Sequence, residues 1–350
     1  MRVLLVEDSL TVRAYIEGIL RSAPDITVLP PARDGMRGVE LAQTHHPDVI
    51  LMDLELPLMN GIQAITEIMA TAPRPIVVLS GVLDKPGADR TFESFQAGAV
   101  EVLAKPKGLS NEERDRFSDR LLRTLRVMSQ ARVIRRRSTT LKAAAAAPPV
   151  TLPQPTPEGP FDAVLIGAST GGPVVVRGLF EEIRAPYPLP IVVCQHIVPG
   201  FEQGMADWLA ETGHRVHVVG PGDRAKPGHV YVARADKHLV MNGLELGIKP
   251  GVGRQVMPSA DVLFESAAVT LGRRCVAFLL TGMGEDGRRG LLALRQKGAL
   301  TVTQSADSCV IDGMPGAARA AGASALDLSP PRMVELLKQI AEAKKRSGVM

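Results

Sequence analysis

Residues 163–173 read AVLIGASTGGP, an apolar run that passes through a glycine-rich turn into a segment beginning with Pro173. A strand, a tight turn and a helix in this order are typical of an α/β fold. The pattern repeats, with further strands predicted at IVVCQ (191), VHVV (216), VYVA (230), CVAFLL (275) and LTVT (300). Helices are predicted over 173–183, 201–212, 259–271 and 287–297. We therefore predict a doubly wound, mostly parallel α/β domain over residues 161–350.

The N-terminal third of the chain shows the same alternation. Helical segments such as 11–21 and 61–71 lie between apolar segments at VLLV (3), ITVL (26), VILM (49), IVVL (76) and EVLA (101). Continuous apolar strands separated by helices indicate a parallel sheet covered on both faces. Five such units predict a flavodoxin-like (βα)5 domain over residues 1–125.

The two predicted domains are joined by residues 126–160, a helix end followed by a linker. Its last part reads KAAAAAPPVTLPQPTPEGP over 142–160, a composition that builds no core and favours extended conformations. The arginines at 132 and 135–137 account for much of the basic excess. We interpret them as a solvated helix end, with a non-specific polyanion contact as the alternative.

The composition of the 350 residues is that of a globular protein, with 45% apolar and 22% charged residues. No apolar run is long enough to cross a bilayer, and no signal peptide is recognisable, so we expect a cytoplasmic protein without membrane insertion. The three cysteines argue against a disulfide framework and a zinc site, and we interpret them as buried small apolar residues. A net charge of +4 does not by itself indicate nucleic-acid binding.

Polar residues follow the predicted strands of the first domain. Glu7 and Asp8 follow the first strand, Asp53 ends the third, Ser80 the fourth and Lys105 the fifth. The carboxyl ends of parallel strands share one edge, so three carboxylates converge there and would repel one another without a cation. A hard divalent ion resolves this repulsion, and Mg²⁺ suits a site shared with a phosphoryl group held by a hydroxyl and an ammonium.

Residues 1 to about 125 resemble a response-regulator receiver domain, on the segments VEDS, MDLELPLMNG, VLSG and AKP. The resemblance implies phosphorylation of Asp53 by a histidine kinase, and sensing of the phosphoryl group by Ser80 and Lys105. It also implies Mg²⁺ ligands at Glu7, Asp8, Asp53 and the backbone carbonyl of Glu55. One departure is Val102, where receivers often carry an aromatic switch residue.

The second domain carries a candidate nucleophile. Residues 167–171, GASTG, match the nucleophile-elbow spacing G-x-S-x-G around Ser169. The following helix would offer unpaired N–H groups to a developing oxyanion. The alternatives are a helix-capping serine and a phosphate cradle.

A serine hydroxyl needs a base, and a histidine base needs an orienting acid. Among the seven histidines, His196 directly follows a predicted buried strand and should reach the same sheet edge as Ser169. Asp286 lies in a glycine-rich turn after another buried strand, with Glu285 as the competing carboxylate. The order serine, histidine, aspartate differs from that of α/β hydrolases.

Residues 160 to about 345 resemble the catalytic domain of the bacterial chemotaxis protein-glutamate methylesterases, on IGASTGGP, QHIVPGF, HVYVA, PSADVLFESAA, LTGMGEDG and GMPGAA. The resemblance implies a catalytic triad of Ser169, His196 and Asp286, with the backbone N–H of Met283 at the oxyanion site. It implies hydrolysis of glutamate methyl esters on chemoreceptor cytoplasmic helices, deamidation of glutamine in some members, and no cofactor in the esterase site.

Two departures from this family concern substrate recognition: Met257 stands where arginine is common, and Gly316 where a basic residue is common. Two rival functions are a non-catalytic, phosphorylation-controlled scaffold and a receiver-driven transcription factor. The first is disfavoured because no member of the triad is missing. The second needs a DNA-binding output such as a helix-turn-helix, which a long α/β domain does not match.

Overall fold

The computed structural model describes residues 1–81, 85–105, 110–131, 161–251 and 256–347. The chain divides into two compact units, Met1–Thr139 and Thr140–Met350. Most of the predicted linker, including the run of arginines, lies outside the described residues, so the limits 126–160 stay a prediction. Within the described ranges, no helix combines the length and apolarity that a membrane crossing requires.

The first unit contains a five-stranded parallel sheet in the order β2-β1-β3-β4-β5, which confirms the predicted flavodoxin-like arrangement. The two central strands β3 and β4 are buried along their whole length, because helices cover both faces. The strands are β1 Arg2–Val6, β2 Thr27–Val28, β3 Val49–Asp53, β4 Ile76–Ser80 and β5 Glu101–Ala104.

Each of the first three helices of this unit begins at a polar capping residue. Ser9 and Asp34 accept backbone N–H groups of the first turn, and Asn60 forms a reciprocal capping box with Gln63. The structure therefore begins α1 one residue before the predicted start. The helices are α1 Leu10–Ser22, α2 Gly35–His45, α3 Gly61–Thr71, α4 Lys85–Ala97 and α5 Asn111–Met128.

The second unit contains a seven-stranded parallel sheet in the order β14-β13-β12-β6-β7-β9-β8, as the prediction of a mostly parallel domain requires. Strand β6 lies at its centre, between β12 and β7. The strands are β6 Ala163–Ala168, β7 Ile191–Gln195, β8 Arg215–Val218, β9 His229–Val232, β12 Cys275–Leu279, β13 Leu300–Gln304 and β14 Leu326–Leu328.

The structure adds an antiparallel hairpin that the sequence analysis did not predict, formed by β10 (His238–Asn242) and β11 (Glu245–Lys249). A two-residue turn joins the strands, and Gly243 adopts a φ of 61° there. Glycine at the first of two turn residues is a recognised hairpin signal. The flanking segments are short and half polar, so their pattern alone does not indicate strands.

Helices α8 and α9 pack closely against each other beside the sheet. A Cβ at Gly290 would lie 2.6 Å from the Cβ of Phe264 and 2.7 Å from the carbonyl oxygen of Asp261. This close approach brings the loop before α9 next to the N-terminus of α8. The helices of the unit are α6 Gly172–Glu182, α7 Glu202–Ala210, α8 Ala260–Thr270, α9 Arg288–Gln296, α10 Met314–Ala320 and α11 Pro330–Ser347.

Candidate active site and candidate phosphorylation site

Ser169 lies in a turn that hydrogen bonds hold in place from both sides. Its N–H donates to the carbonyl of Thr281 at 3.0 Å, and its own carbonyl accepts the N–H of Gly172 at 2.8 Å. Gly171 caps α6 with a φ of 74°, which favours glycine. A side chain at Gly171 would also collide with Val310. The turn therefore presents Ser169 at the carboxyl end of the central strand.

His196 begins the loop after β7, the strand next to β6. Its N–H donates to the carbonyl of Ala168 at 2.9 Å. The side-chain Nε2 of Gln195 donates to the carbonyls of Ser169 (2.8 Å) and His196 (2.9 Å). The backbone of the candidate base is thus fixed to that of the candidate nucleophile.

No hydrogen bond joins the Ser169 hydroxyl to His196 within the described part of the chain. Catalytic hydrogen bonds are often long in ligand-free enzymes and tighten when substrate binds. Ser169 and His196 nonetheless follow adjacent, paired strands, in which Ala168 is the partner of Gln195. The backbones of Ser169 and His196 are therefore neighbours at the same sheet edge.

Asp286 contacts both the His196 ring and the N-terminus of α8. Its Oδ2 lies 2.7 Å from Nε2 of His196. The carboxylate also accepts the Ser259 hydroxyl (2.7 Å) and the N–H groups of Ala260 (2.6 Å) and Asp261 (3.1 Å). The side chains of His196 and Asp286 are only 14% and 13% exposed. The helix N-terminus stabilises the carboxylate charge and fixes its position.

These contacts set the charge state of Asp286. Burial acts to raise the pKa of Asp286, but hydrogen bonds from His196, Ser259 and the N–H of Ala260 outweigh it and lower that pKa to about 2. Asp286 is therefore a carboxylate at neutral pH and accepts the Nε2 proton of His196. When the imidazole is neutral and its one proton faces Asp286, Nδ1 carries the free lone pair. This nitrogen is the one available as a base.

The loop after β12 passes over the nucleophile. A Cβ at Gly282 would lie 2.6 Å from the Cβ of Ser169 and would collide with the thioether of Met314. The N–H of Met283, the next residue, meets no hydrogen-bond acceptor among the described residues. An unsatisfied N–H close to a serine is what an oxyanion site requires.

The competing residues lie elsewhere. Glu285 is 64% exposed and pairs with Arg288 at 2.8 Å, so it is not the partner of His196. His214 is buried and packs against the ring of Phe180. The other five histidines have different surroundings: His217 and His229 contact each other, His238 begins β10, and His45 and His46 lie in the first unit.

The first unit brings its three acidic residues together at the carboxyl edge of the sheet. Carboxylate oxygens of Glu7, Asp8 and Asp53 lie within 4.8 Å of one another. The ammonium of Lys105 lies 2.8 Å from Oε2 of Glu7 and 2.6 Å from Oδ2 of Asp53. This arrangement is a compact acidic cluster with the Lys105 ammonium beside it.

Burial and charge oppose each other in this cluster. Burial raises the pKa of Glu7 and of Asp53, although Lys105 acts in the opposite direction. Burial acts to lower the pKa of Lys105, but hydrogen bonds to the two carboxylates outweigh it and raise that pKa. The donor set fits a hard divalent cation, because it offers only carboxylate oxygens and is short of positive charge.

Two further predicted residues lie at the same edge. Ser80 ends β4, is 6% exposed and accepts the N–H of Lys105 at its carbonyl (2.7 Å). Glu55 donates its N–H to Oδ1 of Asp53 at 3.2 Å, and its side chain pairs with Arg90 at the surface. Residues 82–84 and 106–109, which follow the last two strands, lie outside the described residues.

The structure also locates the three departures. Val102 is a buried residue of β5. Met257 packs where a Cβ at Gly251 would stand. A Cβ at Gly316 would lie 3.2 Å from Oδ2 of Asp312, which already pairs with Arg319. A basic side chain at 316 would therefore compete with Arg319 for the same carboxylate.

Sequence reasoning missed three residues that support the candidate active site: Gln195, Ser259 and Thr281. Ser259 carries a detectable signal, because serine before an apolar helical segment is a typical N-cap. Nothing in the sequence indicates that its hydroxyl also contacts Asp286. The side chains of Gln195 and Thr281 hydrogen-bond to backbone carbonyls that the fold brings near them. Residue patterns do not specify such contacts.

Fold and site together define a class of protein: a receiver-type α/β unit followed by an α/β unit that brings a serine, an imidazole and a carboxylate to three neighbouring strand ends. Comparisons identify the family. The profile of the CheB methylesterase family matches residues 164–337, and that of the response regulator receiver domain matches residues 3–112.

Curated relatives span the whole chain. Protein-glutamate methylesterase/protein-glutamine glutaminase 4 of Geobacter metallireducens is 39% identical, over 98% of this chain and 100% of its own length. The corresponding protein of Nitrosospira multiformis is 36% identical, over 97% of each chain. The crystal structure of the Thermotoga maritima CheB methylesterase catalytic domain is 30% identical with a TM-score of 0.49, covering 51% of this chain and 98% of that one. The chain belongs to the family of receiver-containing protein-glutamate methylesterases/protein-glutamine glutaminases.

Proposed function

We propose that this protein hydrolyses glutamate γ-methyl esters on chemoreceptors, in a reaction controlled by phosphorylation of its receiver domain. The observation that carries the catalytic assignment is the contact of His196 with Asp286 at 2.7 Å, beside the turn that presents Ser169. Family membership favours an enzyme over a non-catalytic scaffold. The same membership gives the chemical class of the substrate.

The acylation step follows from the protonation of the pair. Nδ1 of His196 takes the proton of the Ser169 hydroxyl while the serine oxygen attacks the ester carbonyl carbon. Asp286 holds the Nε2–H and stabilises the imidazolium that forms. The N–H of Met283 donates to the oxyanion of the tetrahedral intermediate. The intermediate then collapses, and the leaving methoxide takes the proton from His196 to give methanol.

Water completes the reaction. His196 removes a proton from a water molecule, whose oxygen attacks the acyl-serine, and the returned proton restores the Ser169 hydroxyl. The product is a glutamate carboxylate on the receptor. A glutamine side chain would follow the same steps with ammonia as the leaving group, which accounts for a second, glutaminase activity.

The acidic cluster of the first unit is the proposed phosphorylation site. Asp53 would accept the phosphoryl group from a chemotaxis histidine kinase. Mg²⁺ would be held by Glu7, Asp8, Asp53 and the carbonyl of Glu55, and would neutralise charge on the transferred group. Ser80 and Lys105 lie at the same edge and would hold the phosphoryl oxygens. We infer no metal or cofactor for the esterase reaction, because a Ser-His-Asp triad needs none.

The proposed control is inhibitory. The unphosphorylated receiver would keep the esterase activity low, and phosphorylation would relieve this inhibition. The proposed domains are a receiver over 1–125, a linker over 126–160 and a catalytic domain over 161–350. The proposed partners are the kinase and the cytoplasmic helices of methylated receptors, which places the reaction in the cytoplasm.

Release of labelled methanol from methylated receptor membranes tests the activity. We expect the wild type to release methanol and Ser169→Ala to lose at least about 10³-fold in rate. The matched control is Ser305→Ala, since this serine lies in a loop after β13 and, among the described residues, bonds within that loop and to β14. Absence of release by the wild type would favour the non-catalytic scaffold. Equal rates for Ser169→Ala would remove Ser169 from the mechanism.

Acetyl phosphate with Mg²⁺ tests the control. We expect faster methanol release with the phosphodonor for the wild type, no phosphoryl group on Asp53→Asn, and no stimulation of that variant. The inhibitory model also requires the catalytic domain over 161–350 to be faster than the unphosphorylated whole chain. A slower isolated domain would contradict inhibition while leaving the esterase assignment intact.

A further inference from the structure

Thr281 is a fully buried polar residue of the loop after β12, and it contacts the turn that presents Ser169. It follows β12, directly precedes Gly282 and Met283, and has no exposed surface. A buried hydroxyl is unfavourable unless it is hydrogen-bonded. Valine has the same shape as threonine and would fill the same space without this requirement. The hydroxyl therefore calls for an explanation beyond packing.

The Thr281 hydroxyl contacts two separate loops. Its Oγ1 lies 3.1 Å from the carbonyl oxygen of Thr170, the residue after the nucleophile. The same atom lies 3.1 Å from the carbonyl oxygen of Ile311 and accepts the N–H of Ile311 at 3.0 Å. One hydroxyl thus joins the nucleophile turn to the loop before α10.

The backbone of Thr281 adds two contacts. Its carbonyl accepts the N–H of Ser169 at 3.0 Å, and its N–H donates to Oε1 of Gln304 at 2.9 Å. Gln304 is also fully buried, and its Nε2 donates to the carbonyl of Ser308 at 2.8 Å. Side chain and backbone of Thr281 therefore bind the nucleophile turn at two consecutive residues, Ser169 and Thr170.

We propose that Thr281 is a positioning residue that fixes the distance between Ser169 and the N–H of Met283, two residues further along the same loop. This inference rests on the proposed esterase function. Catalysis by an oxyanion donor depends on its position when charge develops on the substrate oxygen. If this loop kept its fold but moved relative to Ser169, the enzyme would bind substrate normally and react slowly.

Thr281→Val removes the hydroxyl at nearly constant volume. We expect kcat for methanol release to fall by about 10- to 100-fold, because misplacement of a reacting group by about 1 Å has an effect of this size. We expect KM to change by less than about twofold, since the loss falls on the transition state. The rate of covalent labelling of Ser169 by a fluorophosphonate should fall by a similar factor, which tests the site without the receptor.

Two further variants separate positioning from stability. Thr281→Ser keeps the hydroxyl, and we expect it to restore kcat to within about threefold of the wild type, a difference no larger than that of one weak hydrogen bond. Thr301→Val is the matched control, because Thr301 is also fully buried on the neighbouring strand and accepts one backbone N–H, that of Ala325 at 3.1 Å. Fluorescence of Trp208, the single tryptophan, reports unfolding of the second unit in each variant.

The outcomes are distinguishable from failure of the proposed function. Absence of methanol release by the wild type overturns the function itself. An active wild type with equal kcat and labelling rate in Thr281→Val overturns the positioning role. Equal losses in Thr281→Val and Thr301→Val also overturn it, because the effect would then follow stability alone.

Discussion

Gly282 gives the sharpest prediction for the geometry of the active site. The loop after β12 crosses Ser169 at this residue, where a Cβ would lie 2.6 Å from the Cβ of Ser169 and 3.2 Å from its backbone nitrogen. Carbon atoms in ordinary contact are about 3.5–4.0 Å apart. Gly282→Ala therefore requires the loop and the nucleophile turn to separate by about 1 Å.

This separation should affect rate more than stability. We expect a loss of about 100-fold in kcat, since a displacement of this size has that effect on a reacting group. Forced packing of one methyl group should destabilise the second unit by about 1–3 kcal/mol. Methanol release measures the first quantity, and urea unfolding followed by Trp208 fluorescence measures the second. Gly220→Ala is the control, because its Cβ would meet no atom closer than 3.7 Å.

A folded Gly282→Ala protein with the kcat of the wild type would refute the reasoning. It would mean that the loop does not lie over Ser169 during catalysis, or that Met283 does not contribute an oxyanion donor. A loss of stability without a loss of rate would lead to the same conclusion.

The remaining predictions concern the support of His196 and Asp286. Ser259→Ala removes a donor to a buried carboxylate, so it should destabilise the second unit by about 1.5–3 kcal/mol in urea unfolding and lower kcat; an unchanged unfolding midpoint would contradict the contact. Gln195→Met should lower kcat with little change in KM, because the backbones of Ser169 and His196 lose their shared donor; a change in KM alone would argue against this role. The pKa of Asp286 lies below its ordinary value of 3.8, at about 2. The carboxylate therefore contributes its full stabilisation of the fold above about pH 4, and this contribution is lost as the pH falls toward 2. The stability advantage of the wild type over Asp286→Ala should therefore shrink by about 2 kcal/mol across that interval, and a constant difference would exclude the lowered pKa.

The sequence was sufficient for the α/β architecture because its strands are continuous apolar runs and its turns are rich in glycine. Parallel strands end at one edge, so Ser169, His196 and Asp286 could be assigned to that edge from the positions of their strands. The strand order β12-β6-β7, which makes these three ends neighbours, depends on crossover connections between distant segments. Nothing in the residues themselves specifies that order.

The finer features of the site depend on the positions of individual atoms, which residue types do not determine. That Asp286 contacts Nε2 of His196, so that Nδ1 is the proposed base, follows from the ring orientation. The proposed role of Thr281 follows from a hydroxyl that meets carbonyls of two loops more than 25 residues away in sequence, at Thr170 and Ile311. Such contacts arise from tertiary packing, and no local pattern encodes them.

The central claim is that a hydroxyl activated by an imidazole and a carboxylate lies at the end of β6. Reaction with a fluorophosphonate followed by peptide mass spectrometry tests it most directly, because the reagent needs an activated serine and no receptor. We expect one adduct, on Ser169, and a labelling rate at least about 100-fold lower in His196→Gln. An adduct on another residue, or equal labelling of the two proteins, would contradict the claim.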